Sequence, residues 1–179
     1  LLDMVVEVKK AQEGDLDTFV MLIRQLESRL YGLAKSIVKR DEDCADAIQE
    51  TLLNAYKSLN TLKKPEFFNT WIIRILINEC NQVLRLRRRT IVMGELPETN
   101  YPLAAHGADH QTSDLQEAVD RLNDTLRLVV HLFYYQDLSV KQIAEILDIS
   151  EGAVRARLHR ARGVLADWMN SMRMNFAGI

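Results

Sequence analysis

Proline and glycine are scarce in this chain, at 3 and 7 among 179 residues. Collagen-like and low-complexity architectures need many more of both. Strand-like alternation is rare too, so an all-α fold is expected. Cysteine is scarcer still: Cys44 and Cys80 are too few for a disulfide framework and lack metal-ligand spacing. They are expected to be reduced and buried. No apolar run reaches the roughly 20 residues of a membrane-spanning helix, and nothing resembles a signal peptide, so direct membrane insertion is not expected. The chain begins with Leu rather than Met, so a few native residues are expected to be missing. Also lacking are a glycine-rich phosphate loop, a His/Cys/carboxylate metal cluster and a nucleophile–base pair. Neither catalysis nor a cofactor or metal is expected.

What is present is apolar content of 47%, enough for a sizeable core, and a charge that is small only in sum. The net value is −2, but residues 1–90 carry +2, residues 91–114 carry −4 and residues 115–179 balance. A protein that binds nucleic acid need not be basic overall if its basic groups are clustered.

The most informative stretch is LSVKQIAEILDISEGAVRARLHRARGVLA, Leu138 to Ala166. Ser139 can cap a helix, and Gln142 three residues on can close a capping box. Ile143, Ile146 and Leu147 form its apolar stripe, and Ala144 is small enough for a close helix crossing. Asp148-Ile149-Ser150 reads as the turn, because Asp tolerates the left-handed conformation and Ser150 can cap a second helix. In that second helix Val154, Leu158, Ala161 and Leu165 fall in one stripe. Gly152, Ala156, His159 and Gly163 fall opposite, flanked by Arg155 and Arg162 on one side and Arg160 on the other. Arg157 lies nearer the seam. Small residues between guanidiniums suit a backbone that approaches DNA closely, with arginines reaching bases or phosphates. This is the pattern of a helix-turn-helix.

Earlier in the chain, residues 1–10 read as a frayed lead-in or part of the first helix. Gly14-Asp15 marks a start, and Leu16 to Val38 carries helical apolar spacing. A helix from about Glu42 to Leu59 is expected to bury Ala45, Ile48, Leu52, Leu53, Ala55 and Tyr56. Its other face shows Asp46, Gln49, Glu50 and Asn54. Asn60 to Glu66 reads as a loop. A third helix, about Phe67 to Arg89, has Phe68, Trp71, Ile72, Ile75, Leu76, Val83 and Leu86 as apolar positions. It ends in Arg85, Arg87, Arg88 and Arg89, four arginines in five residues. With Phe67 or Phe68 and Trp71 nearby, they suggest a basic, aromatic surface for single-stranded nucleic acid. Residues 93–113 hold two of the three prolines and no basic residue, and read as a flexible linker. His106 and His110 lie there without further metal ligands. Asp114 to Tyr135 returns to helix with Leu115, Val119, Leu122, Leu126, Val129, Val130 and Phe133 as its stripe. His131 reads as a core or boundary residue. The tail DWMNSMRMNFAGI is expected to extend the last helix and fray. The expected plan is two small helical domains, 1–92 and 114–179, joined by that linker.

Three segments in this order resemble the bacterial RNA polymerase sigma factors of the extracytoplasmic-function (ECF) group, over nearly the whole chain. DAIQETLLNAYKSL is similar to region 2.2, with Asp46, Gln49 and Glu50 as its Asp-x-x-Gln-Glu signature. NTWIIRILINECNQVLRLRRR resembles regions 2.3 and 2.4, including Thr70-Trp71, Arg74 and Asn78. LSVKQIAEILDISEGAVRARLHRAR resembles region 4.2. Two departures stand out. Leu122-Asn123 occupies a place where the family often has Leu-Pro, and Ala153 one where Thr is frequent, which forfeits a phosphate contact.

The resemblance implies an alternative sigma factor acting in the bacterial cytoplasm. Asp46, Gln49, Glu50 and Asn54 would dock core RNA polymerase, on the clamp helices of its largest subunit. Lys63, Lys64, Phe67, Trp71, Arg74, Asn78, Arg85 and Arg88 would hold the non-template strand of the −10 element, with Asn78 near a flipped base. Arg155, Ala156, His159, Arg160 and Arg162 would read the −35 duplex. The acidic linker would follow the RNA path. A membrane-linked anti-sigma factor is expected as a further partner. Two other readings are a helix-turn-helix regulator using the second domain alone and a sigma mimic that sequesters an anti-sigma factor. The first would need a phosphoacceptor or dimerisation heptad, and the second would lack the arginines present here.

Overall fold

The computed structural model describes the backbone of residues 2–92 and 114–176 and the side chains of residues 4–89 and 115–171. The linker 93–113, with His106 and His110, lies outside the described residues, as do residues 177–179. Among the described residues there is no strand. The chain divides into two compact units, Leu1–Arg87 and Arg88–Ile179.

The first unit opens with α1 (Leu2–Gln12), α2 (Leu16–Val38) and α3 (Asp41–Ser58). Residues 2–12 therefore form a helix of their own, separate from α2, and that helix buries Val8 and Ala11. Gly14, at φ +102°, turns the chain between α1 and α2, a conformation that glycine adopts without strain. Asp15 then caps α2 by accepting from the Thr18 backbone N–H at 3.0 Å, and that bond lowers its carboxyl below the usual range.

α3 corrects the expected buried stripe. It buries Cys44, Ala47, Thr51 and Ala55, whereas Ala45, Leu53 and Tyr56 are exposed and Ile48 and Leu52 half-buried. A row of small residues lets neighbouring helices approach closely, and Thr51 satisfies its own hydroxyl on the Ala47 carbonyl at 2.6 Å. The bulkier side chains lie at the margin, where the Tyr56 ring packs on Phe19 with centroids 5.3 Å apart.

The expected loop Asn60–Glu66 contains two short 3-10 turns, Leu59–Thr61 and Pro65–Phe67, before α4 (Phe68–Val92). The Gln12 amide of α1 donates to the carbonyls of Leu59 and Leu62 at 2.9 and 2.8 Å and so fastens the start of this connection. α4 buries Phe68, Ile72, Leu76 and Cys80 completely, in steps of four residues, but Leu86 is exposed. Burial raises the Cys44 thiol to about 11 and the Cys80 thiol to about 12.

The second unit corrects the expected single helix 114–135. It is broken into α5 (Asp114–Arg121) and α6 (Asp124–Val130), followed by a π turn over His131–Tyr135. Asn123 causes the break: its side-chain oxygen accepts from the Leu126 backbone N–H at 3.0 Å and caps α6. An amide at a cap stabilises a helix start by roughly 0.5–2 kcal/mol relative to Ala. Arg127, only 2% exposed, closes the open end of α5. It donates to the Leu122 and Asp120 carbonyls at 2.7 and 3.2 Å and pairs with Asp124. The core joins Val119, Leu122, Leu126, Val130 and Ala161, with Leu165 packed against it. Leu115, expected in this stripe, is exposed. His131 is buried and stacks on Tyr135 at 4.6 Å. Burial depresses its basicity.

Candidate nucleic-acid interface

α7 (Val140–Leu147) and α8 (Glu151–Phe176) form the helix-turn-helix. The Gln142 N–H donates to Ser139 Oγ at 3.2 Å while Gln142 Oε1 accepts from the Ser139 N–H at 2.9 Å. This reciprocal capping box fixes the start of α7. Asp148 ends the helix in the left-handed conformation, φ +52°. Ser150 caps α8 by accepting from the Ala153 N–H at 3.1 Å. α8 buries Val154, Leu158 and Ala161, and Leu165 is half-buried.

The opposite face is open. Gly152, Arg155, Ala156, His159, Arg160, Arg162 and Gly163 are all exposed, and Arg157 is half-buried. A Cβ added at Gly163 would meet nothing within 4 Å, so packing inside the chain does not require glycine there. Glycine inside a helix costs roughly 1 kcal/mol relative to Ala, a cost that close approach of an external surface would justify. The arginines differ in their partners. Arg155 pairs with Glu151 at 2.7 Å, one turn back. Arg160 Nε reaches the Ala156 carbonyl at 3.4 Å, a long contact. Arg162 Nε donates at 2.9 Å to the hydroxyl of Tyr134, a residue that sequence reasoning does not single out.

In the first unit, Asp46, Gln49 and Glu50 are all exposed along α3. Asn54 is not on the open strip with them. It is half-buried and its amide donates to Glu79 of α4 at 3.0 Å. Lys63, Lys64 and Phe67 are exposed on the α3–α4 connection, with the Lys64 ammonium 5.7 Å from the Phe67 ring centroid. Phe68 is core and packs on half-buried Trp71, with centroids 5.9 Å apart. Of the two adjacent phenylalanines, Phe67 is thus the one available to a base. Arg74, Asn78, Arg85 and Arg88 are exposed. Arg87 is drawn aside by Asp43 at 3.2 Å, between half-buried groups. Asp43 and Glu79 therefore organise the α3–α4 surface; Asp43 lies outside the segments that carry the motifs, and Glu79 lies within one without being singled out.

Among the described residues, no group of three or more His, Cys, Asp or Glu could hold a metal ion. Among those same residues no helix is long and apolar enough to cross a membrane. A helix-turn-helix with an open, arginine-flanked face, in one chain with a second helical unit carrying exposed Lys, Phe and Arg side chains, is the arrangement of a DNA-binding protein.

Comparison with known proteins makes the class specific. Residues 22–90 match the family model "Sigma-70 region 2", and residues 112–165 match "Sigma-70, region 4". RNA polymerase sigma factor SigV of Bacillus subtilis is 33% identical over 143 residues, which cover 79% of this chain and 85% of that protein. The ECF RNA polymerase sigma-E factor of Haemophilus influenzae is 30% identical over 173 residues, covering 88% and 90% of the two chains. Among solved structures, sigma factor RpoE of Bartonella quintana, in complex with the anti-sigma factor NepR, has the same fold. Its TM-score is 0.71 at 21% identity, covering 87% of this chain and 98% of that one. The chain belongs to the ECF group of bacterial RNA polymerase sigma factors. It is an alternative sigma factor that directs promoter-specific transcription, and sigma factors are initiation factors rather than catalysts.

Proposed function

We propose a division of labour among the residues described above. The carboxylates and amide of α3 (Asp46, Gln49, Glu50), with Asn54 behind them, dock the clamp helices of core polymerase. Basic groups on that partner would complement the strip and set its register. The α3–α4 connection and the exposed side of α4 hold the non-template strand of the −10 element. Phe67 offers a ring for stacking, Lys63 and Lys64 offer charge, and Asn78 hydrogen-bonds a flipped base. Trp71 backs this surface from its half-buried position, and Arg74, Arg85 and Arg88 face the sugar-phosphate backbone.

α8 reads the −35 duplex. Arg155 and Arg160 are assigned to base edges, His159 to a base edge or thymine methyl, and Arg162 to a phosphate. Ala156 and Gly163 let the helix backbone approach. The observation that carries this reading is the sorting of α8, with an unbroken apolar seam on one side and an exposed face of small and cationic side chains with His159 on the other. An anti-sigma factor, anchored in a membrane, is proposed as the regulatory partner, and the cytoplasm as the place of action.

The test is transcription from candidate promoters by purified core polymerase with and without this protein. Promoter-specific transcripts that require it are expected. If core polymerase does not retain the protein, or initiates identically without it, the reading fails.

A further inference from the structure

The two arginines on one flank of the open face of α8, Arg155 and Arg162, are held in opposite ways. Arg155 is engaged by a carboxylate, which cancels its charge locally. Arg162 is engaged by Tyr134, whose neutral hydroxyl accepts from Nε at 2.9 Å. A guanidinium carries five N–H donors, so this contact takes the inner one and leaves the outer fork and the full charge for an external partner.

Tyr134 is itself held. It sits in the π turn that follows α6, and its ring meets the edge of Phe133 with centroids 4.9 Å apart and planes at 80°. The hydroxyl thus comes from a different helix, 28 residues away in sequence. A long side chain restrained in this way loses less rotamer freedom when it binds.

We propose that Tyr134 is a positioning residue for DNA binding: it orients Arg162 as a preformed, undischarged clamp for one backbone phosphate of the −35 duplex. The proposal rests on the assignment of Arg162 to a phosphate. It predicts a sequence-independent contribution, since a phosphate contact carries no base information.

The test is a double-mutant cycle with the full chain. The probes are a duplex selected from a random pool by the parent protein and an unrelated duplex of the same length. Arg162→Ala should weaken both duplexes alike and reduce the salt slope by about one unit. Tyr134→Phe keeps the ring and removes only the hydroxyl. It should weaken binding to both duplexes about two- to tenfold, the worth of one hydrogen bond, with the salt slope kept because the charge remains. In the Arg162→Ala background, Tyr134→Phe should cost nothing more. An unchanged melting temperature in Tyr134→Phe would exclude loss through unfolding.

Additive losses would overturn the proposal, because Tyr134 would then act independently of Arg162. So would full affinity in Tyr134→Phe when Arg162→Ala does lower the slope, although the phosphate assignment would then stand. An unchanged slope in Arg162→Ala would sink both the assignment and the clamp.

Discussion

Glu151→Gln and Arg155→Ala, measured side by side, separate the two partners available to Arg155. In the free protein that guanidinium lies 2.7 Å from Glu151, with 64% and 44% of the two side chains exposed. An i,i+4 pair so open to solvent is worth only about 0.3–0.5 kcal/mol. A bidentate contact to guanine is worth about 1–3 kcal/mol against a wrong base. The second term wins, so the pair cannot keep Arg155 off the DNA and only lowers its affinity slightly. Glu151→Gln should therefore tighten binding to every −35 duplex by about twofold. It should also soften the start of α8, where a carboxylate complements the helix dipole by about 0.3–1 kcal/mol. Arg155→Ala should instead lose about 1–3 kcal/mol and relax preference at one base pair. The assay is fluorescence anisotropy on duplexes that vary one base pair at a time, at two salt concentrations. If Arg155→Ala and Arg160→Ala both leave base preference intact, the outward face of α8 does not read bases, and its assignment is wrong.

Reversal of charge at both Asp46 and Glu50 should weaken co-purification with core polymerase without lowering the melting temperature, since both are exposed. Equal recovery of the variant would place docking elsewhere. Asn78→Ala should reduce permanganate reactivity of the opened −10 region more than it reduces −35 duplex binding, and unchanged reactivity would make Asn78 structural. Arg127→Met orphans the Leu122 and Asp120 carbonyls and should cost about 2–4 kcal/mol of stability. Asp124→Asn breaks only an exposed partner's bond and should cost less than about 1 kcal/mol; equal losses in urea unfolding would mean the ion pair matters and the carbonyls do not. Burial holds His131 below its ordinary value of 6.5, with Asp120 raising it in part and Arg127 lowering it further. The stability it contributes is full above that ordinary value and is lost as pH falls toward the depressed one. Melting of the second unit should decline from about pH 6.5 downward, and His131→Leu should flatten that decline.

The helix-turn-helix is legible because its signals are local. A Ser with a Gln three residues on, an Asp able to take positive φ, and a seam of Val154, Leu158 and Ala161 each name their own geometry. The α3 face misleads because bulk is a poor guide to burial there. Leu53 and Tyr56 are larger than Cys44 and Ala47, yet close packing selects the small row. The break at Asn123 is hidden because a polar residue between Leu122 and Leu126 fits a helix surface as well as a cap. Long-range partners leave no sequence signal. Asn54 with Glu79, Asp43 with Arg87 and Tyr134 with Arg162 are pairs that only the folded chain brings together. The region 2 and region 4 motifs identify the family, but these contacts decide which arginines stay available.

Cys44 and Cys80 lie in the same unit with no exposed surface, and their thiols titrate at about 11 and 12. At neutral pH such groups resist oxidants and alkylating reagents while the helices stay closed. They can therefore serve as a built-in stopwatch. A thiol reagent applied to the native protein labels them only when the helices around them part, so its rate counts transient openings of this unit. Core polymerase seated on α3 would stop the watch, and the degree of slowing would measure how firmly it holds that unit shut.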